Sequence, residues 1–330
     1  MDFSLSEDQR ALRSGMRELL TGRFGRERMR AAAESGEGVD RGLWAELGAA
    51  GFFALRLPEA EGGVGLGLPE SVLLFEEAGR VLLPGPLVAT HLAAGAVKGA
   101  AEGRAVVTVA DGNGPVADLG DADGLLVLGD GVRLRAGEPL RDTVRAAVPV
   151  RSLDPLTPLH RPAGPLTGTE PLPSLSPPTL RREGSLLTAA EQLGSATRTT
   201  EMAVQHARGR EQFGAAIGSF QAIKHLCAEM LVRAELARAA VYAAAVTGDP
   251  AETAGAKLLA DEAAVRNARD CLQVHGGMGF TWEADVHLHL KRAWLRSGRW
   301  LTAAEAEEAL AAGLGAADRA DGGPGGSGGS

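Results

Sequence analysis

The segment Arg210-Glu211-Gln212-Phe213-Gly214-Ala215-Ala216-Ile217-Gly218-Ser219-Phe220-Gln221 joins two Ala- and Leu-rich stretches and combines residue types that a plain helix connection does not need. Arg210 offers a planar guanidinium fork that matches phosphate oxygens. Phe213 can pack on a flat ring or on the core. Gly214 and Gly218 let backbone approach a ligand closely. Gln221 falls just after Ser219, a helix-capping residue type, so its amide belongs to a first helical turn, where free N–H groups favour anions. The chemistry implied is the holding of a phosphate-bearing ligand. The same residues also fit an ordinary connection with an exposed Arg and a hydrophobic Phe.

A second cluster, Gln273-Val274-His275-Gly276-Gly277-Met278-Gly279-Phe280, follows another helical stretch. Paired glycines there act as a helix C-cap by default. Gln273 and Gly279 add a contact set for phosphate or adenine. No metal set emerges. His287 and His289 are two apart and point to different sides of a helix, as do His225 and Cys227. His206 and His275 read as surface or packing residues. The two cysteines, Cys227 and Cys271, read as small buried hydrophobes inside helices. No Gly-x-Ser-x-Gly elbow, P-loop or zinc spacing occurs, so hydrolase and NTPase chemistry have no support.

The elements that must position these segments follow from periodicity. Ser6 before Glu7-Asp8-Gln9 starts a helix, along which Leu12, Met16, Leu19 and Leu20 recur at helical spacing. Further helices are predicted over residues 41–51, 70–81 and 88–97, with a Gly-rich loop over 57–67. In the 70–81 helix Val72, Leu73 and Leu74 are expected inside and Glu76, Glu77 and Arg80 outside. From Arg104 the pattern is β: strands over 105–109, 124–128, 132–135 and 146–150, with Gly129-Asp130-Gly131 as a hairpin turn. Residues 153–178 are Pro-rich and polar. Helices return over 184–208, from Ser219 to about 247, and over 251–274, 283–296 and 303–313. The fold class is mainly α with a small β module. Residues 1–103 form a helical domain, 104–183 a shortened β domain, 184–316 a helical bundle carrying both motifs, and 317–330 a flexible tail.

Composition sets limits. A chain of 330 residues, 45% hydrophobic, can bury a sizeable core. Its net charge of -8 disfavours nucleic acid and anionic membrane as partners. The opening residues lack the basic and apolar regions of a signal peptide, and no apolar run is long enough to span a membrane. A cytoplasmic protein is expected.

Together the two glycine-bearing motifs resemble the acyl-CoA dehydrogenase family, whose pattern R-x-Q-F-G-x-x-I-x-x-F-Q followed by Q-x-x-G-G-x-G they match. Phe3-Ser4-Leu5-Ser6-Glu7-Asp8-Gln9 is similar to the family's opening, and residues 43–67, with Gly51-Phe52 and Pro58-Glu59-Ala60-Glu61-Gly62-Gly63, to its first domain. Residues 187–194 and 203–205 resemble the helix that leads to the Arg. The resemblance implies a helical domain, a middle β domain and a C-terminal four-helix bundle. It also implies FAD-dependent α,β-dehydrogenation of an acyl-CoA thioester, a Glu taking the Cα proton and the flavin the Cβ hydride. Arg210, Phe213 and Gln221 resemble the residues at the pyrophosphate and adenine end of FAD. Gln273, Gly276, Gly277 and Gly279 resemble the second cofactor patch. In family dimers these contacts reach the neighbouring subunit's FAD. Gly209 and Ala216 depart from the family's usual Thr and Pro.

Other parts of the family pattern are missing. The Thr-Glu-Pro and Trp-Ile-Thr-like segments that face the flavin ring are not found between Arg104 and Glu183. The ungapped position of the usual base is Trp300. In other members the base stands at the start of the first bundle helix, where the match falls on Gly184, beside Glu183. Glu183 is thus a candidate base one residue out of register, Glu191 a further one two turns on, and an acidic residue near a helix start is the plain alternative. The expected function is that of a short subunit of a hetero-oligomeric acyl-CoA dehydrogenase. A full-length homologue would supply base and flavin pocket and act on bulky acyl-CoAs, steroid side-chain thioesters included. The alternatives are an autonomous homo-oligomeric enzyme using Glu183 and a non-enzymatic scaffold that has lost the cofactor.

Overall fold

The computed structural model describes residues 5–36 and 38–321. The first helix, α1 (Glu7–Arg23), starts on a reciprocal cap. Ser6 Oγ accepts from the Gln9 N–H at 3.1 Å, and Gln9 Oε1 accepts from the Ser6 N–H at 3.1 Å. α2 (Arg26–Ser35) has no counterpart in the sequence reading; it buries only Met29 and Ala33, too few apolar positions to show a period. α3 (Arg41–Ala49) is capped by Asp40, whose carboxylate accepts from the Gly42 and Leu43 N–H groups. α4 (Leu68–Arg80) and α5 (Leu87–Ala93) complete this part. Trp44, Phe52, Phe53 and Phe75 form its aromatic core, with ring centres 4.8–5.3 Å apart.

α4 corrects one expectation. Its acidic side faces inward, and Glu76 and Glu77 are buried. Glu77 accepts from Arg17 Nε at 2.8 Å and Nη2 at 2.6 Å, and Glu76 accepts from the Tyr242 hydroxyl at 2.6 Å. The cause is tertiary: α4 is enclosed by α1 and by the long helices of the bundle, so its polar side meets protein instead of water.

The middle region holds β1 (Val107–Asp111), β2 (Val116–Ala117), β3 (Gly124–Leu128), β4 (Val132–Ala136), α6 (Gly137–Ala146), β5 (Val148–Val150), β6 (Leu159–Arg161) and β7 (Glu170–Pro171). One sheet has the order β1-β3-β4-β7, with β1 and β3 parallel and the other pairs antiparallel. A second has the order β2-β6-β5. The predicted hairpin is present, with Leu126 opposite Leu134 and Leu128 opposite Val132. α6 was not predicted, and β6 and β7 lie in the Pro-rich stretch read as connections. Two- and three-residue strands leave no alternation to detect.

The bundle begins earlier than its Ala-rich signal. α7 (Pro177–Gly209) starts where Ser176 Oγ accepts from the Thr179 N–H, and Pro177 and Pro178 sit in the first turn, where a missing N–H costs nothing. Two short strands, β8 (Glu211–Gln212) and β9 (Ala215–Ala216), precede α8 (Gln221–Thr247). α9 (Pro250–His275), α10 (Val286–Ser297) and α11 (Ala303–Asp321) follow. α11 runs past the predicted end at residue 313, and residues 322–330 of the expected tail lie outside the described residues. α7 is central and packs on α4, α8 and α9. It crosses α4 at glycines: a Cβ on Gly194 would lie 1.9 Å from the Glu76 carbonyl oxygen, and one on Gly79 2.0 Å from that of Glu191. Among the described residues no helix is long and apolar enough to cross a membrane.

Candidate functional site

The Arg210 segment folds as a tight hairpin. Gln212 pairs with Ala215, leaving Phe213 and Gly214 as the two central residues at φ +54° and +77°. A two-residue hairpin of this kind requires positive φ at both positions. Gly214 adopts it freely; a bulky residue such as Phe213 does so at a cost of about 1–3 kcal/mol. Phe213 packs on no core. It is 94% exposed and meets only the edge of Phe220, with ring centres 6.1 Å apart. Arg210 is exposed as the C-cap of α7, and its N–H donates to the His206 carbonyl at 2.9 Å. Among the described residues no hydrogen bond or ion pair holds its guanidinium.

Ser219 does not cap α8. Phe220 is the cap residue, without a side-chain bond, and the Ser219 hydroxyl donates to the Ala216 carbonyl at 2.7 Å. The first-turn N–H groups of α8 therefore carry no capping side chain. Gln221 opens α8 and is exposed, its Nε2 2.9 Å from His225 Nε2.

The second motif lies at the same end of the bundle. His206, one turn before Arg210, stacks on His275, one residue before Gly276, with ring centres 4.0 Å apart. Burial, then His275 and Arg210, lower the pKa of His206. Gln273, Gly276 and Gly277 are exposed; Gly279 is buried, where a Cβ would lie 2.9 Å from the Leu272 carbonyl oxygen. Ile217 and Ile223 anchor the hairpin on a cluster that includes Ala207, Leu272 and Val274. Met278 and Phe280 extend the exposed apolar surface begun by Phe213. The structure thus gathers all seven predicted cofactor residues at one end, six of them facing outward.

The positions expected for a base lie elsewhere, in the interior. Trp300, at φ +64°, lays its indole over Gly184, so that a Cβ there would be 2.3 Å from Trp300 Cδ2. The two alternative base positions therefore share one space, and the indole fills it. Glu183 is held elsewhere, accepting from Arg56 Nη1 at 2.6 Å and Nη2 at 3.2 Å. This fork, not a substrate, is its partner.

Beside Trp300 lies a cavity of about 60 Å³. Its wall carries Asp118, Glu191, Arg292, Arg296 and Arg299. Arg296 Nη2 donates to Glu191 Oε1 at 2.6 Å, while Arg292 pairs with Asp154 and donates to the Leu83 carbonyl at 3.1 Å. Burial pushes the Asp118 carboxyl up to about 7, against the pull of Arg299 and Arg292. Burial also raises Glu191 and lowers Arg296 to about 10. Sequence reading singled out only Glu191 of this set. The available signal was the spacing Arg292 to Arg296, which places two cations on one side of α10, with Arg299 just past its C-cap Gly298. Among the described residues no group of His, Cys, Asp and Glu could hold a metal ion, and Cys227 and Cys271 are free.

The acyl-CoA dehydrogenase N-terminal domain matches residues 6–102, and the family's C-terminal domain matches residues 182–301. The acyl-CoA dehydrogenase IpdE2 of Mycobacterium tuberculosis is 37% identical over 297 residues, spanning 87% of this chain and 91% of that protein. This chain belongs to the acyl-CoA dehydrogenase family. Acyl-CoA dehydrogenase folds in solved structures agree. The Tcur3481-Tcur3483 steroid ACAD matches with a TM-score of 0.80 at 25% identity, over 95% of this chain and all of that one, 100%. The ChsE4-ChsE5 complex from M. tuberculosis matches with a TM-score of 0.79 at 24% identity, over 96% of this chain and 99% of that one.

Proposed function

We propose that this acyl-CoA dehydrogenase family chain is the non-catalytic subunit of a hetero-oligomeric, FAD-dependent acyl-CoA dehydrogenase. It completes the FAD site of a full-length homologous partner. The observation that carries this reading is the indole of Trp300 seated on Gly184. A thioester α-proton needs a carboxylate beside it. Here an apolar ring occupies the ground where either family base would stand, and Glu183 is engaged by Arg56. Solved relatives in the form of two-component proteins, one of them a steroid ACAD, support a partner and a bulky acyl-CoA substrate.

The outward site fits the phosphate end of FAD. Among the described residues the Arg210 guanidinium has no partner, α8 begins with N–H groups that carry no capping side chain, and Gly276-Gly277 present bare backbone. FAD, when bound, supplies the hydride acceptor for α,β-dehydrogenation. This chain's part is to neutralise the pyrophosphate through Arg210, to offer Gln221 and Gln273 as polar contacts, and to shield the site with Phe213.

Co-expression with a full-length homologue encoded alongside tests this. The expected product is a stable yellow complex, while the chain purified alone shows no flavin absorbance. Arg210→Ala should weaken flavin retention in the complex by about tenfold or more, the loss of one charge-assisted phosphate contact. Flavin and turnover in the chain alone would favour the autonomous enzyme. A complex without flavin, or unchanged flavin in the variant, would favour the scaffold.

A further inference from the structure

We propose that the cavity beside Trp300 binds a small carboxylate anion with a short apolar body, held by Arg296 and Arg299. The inference is independent of the partner reading, since it concerns the interior of this chain alone.

Three arginines reach this cavity, and their donors are unequally used. Every nitrogen of the Arg292 guanidinium is engaged: Asp154 takes Nε, the Leu83 carbonyl takes Nη1 at 3.1 Å, and the Leu156 carbonyl takes Nη2 at 3.3 Å. Arg296 is only half used. Its Nη2 meets Glu191 at 2.6 Å, but its Nη1 is buried with no hydrogen-bond partner among the described residues, on a residue only 7% exposed. The side chain of Arg299, part-exposed at the cavity's edge, makes no hydrogen bond among the described residues. A buried donor without an acceptor costs about 1–3 kcal/mol, and more when it is charged. An acceptor with a full charge removes that cost.

The charges point the same way. Asp154 balances Arg292, and Glu191 balances Arg296. Arg299 shares the cavity lining with Asp118, whose carboxyl makes no hydrogen bond among the described residues and is driven by burial toward its neutral form. One cation is therefore left without a firm counter-ion.

The space defines the ligand. One water needs about 10–15 Å³ of such volume, so about 60 Å³ takes several waters or a molecule of acetate to butyrate size. The lining also carries the apolar side chains of Leu87, Val88, Ala117, Leu295 and Trp300, with Thr157 and Thr188 among them. A guanidinium fork pairs with a planar carboxylate in two parallel bonds. A halide or sulfate would satisfy the charge but leave the apolar side chains against water.

Thermal denaturation of the purified full chain at fixed ionic strength, with acetate, propionate or butyrate replacing chloride or sulfate, tests the site. The expected result is a saturable rise in Tm with the carboxylates only. Arg299→Gln should weaken the apparent affinity about tenfold. It is a variant expected to fold, because the Arg299 side chain is part-exposed and makes no hydrogen bond among the described residues. Trp300→Ala should move the preference to longer carboxylates. No rise, an equal rise with chloride or sulfate, or an undiminished rise in a folded Arg299→Gln chain would overturn the proposal.

Discussion

At the scale of single residues, environment decides what an ionisable group does. Asp118 is an acid whose backbone sits at φ +55° and whose carboxyl is buried next to cations that do not hydrogen-bond it. Burial wins over those cations, so its folded pKa of about 7 stands above the ordinary 3.8. The sign of the consequence follows. Between those values the folded chain keeps a proton that the unfolded chain has released. Stability therefore falls as pH rises through that window and levels off above it, with a slope of up to about 1.4 kcal/mol per pH unit. Asp118→Asn cannot ionise, and Asn tolerates the left-handed backbone. Urea denaturation across pH 3–8 should show the variant matching its parent at the acid end, below 3.8, and gaining on it until the difference levels off above about 7. Parallel curves would mean that Asp118 is already ionised in the folded state.

Among the elements, the hairpin between α7 and α8 is the one whose local conformation conflicts with its sequence. Phe213 occupies a turn position that suits Asn or Gly, and it stands in solvent against the edge of Phe220. Strain of this kind persists where the residue serves something outside the fold. Phe213→Asn supplies the residue pair that such turns prefer. The isolated chain should gain about 1 kcal/mol in denaturation, while the same variant should weaken assembly with the full-length partner in a pull-down or sedimentation experiment. Stabilisation without loss of assembly would remove Phe213 from the interface. This stretch was legible as a candidate site because Arg210, Phe213 and Gln221 have types that a connection does not need. Its strand–turn–strand form was not legible, because two-residue strands carry no period.

Across the whole molecule, α10 is where the three regions are joined. Arg292 reaches from α10 to Asp154 and Leu156 of the middle region and to Leu83 of the N-terminal one, and both ions of the pair are buried. Removing one partner of a buried ion pair strands the other, at a cost of about 3–5 kcal/mol. Asp154→Ala should lower Tm by several degrees and loosen the middle region first, read as faster proteolysis within residues 104–176 than within the bundle. Uniform cleavage across the chain would show that this pair does not govern docking.

The sequence by itself determined the family and the helix–β–helix order, and it singled out the residues proposed to face a cofactor, since residue types and spacings express the needs of a ligand directly. It also placed Trp300, a residue that cannot take a proton, at the ungapped position of the family's usual base. Only the tertiary structure decided that the Trp300 indole lies on Gly184, that Glu183 answers to Arg56, and that Glu76 and Glu77 lie inside. Each of these depends on which helix covers which face, a relation between residues far apart in the chain that no local period records.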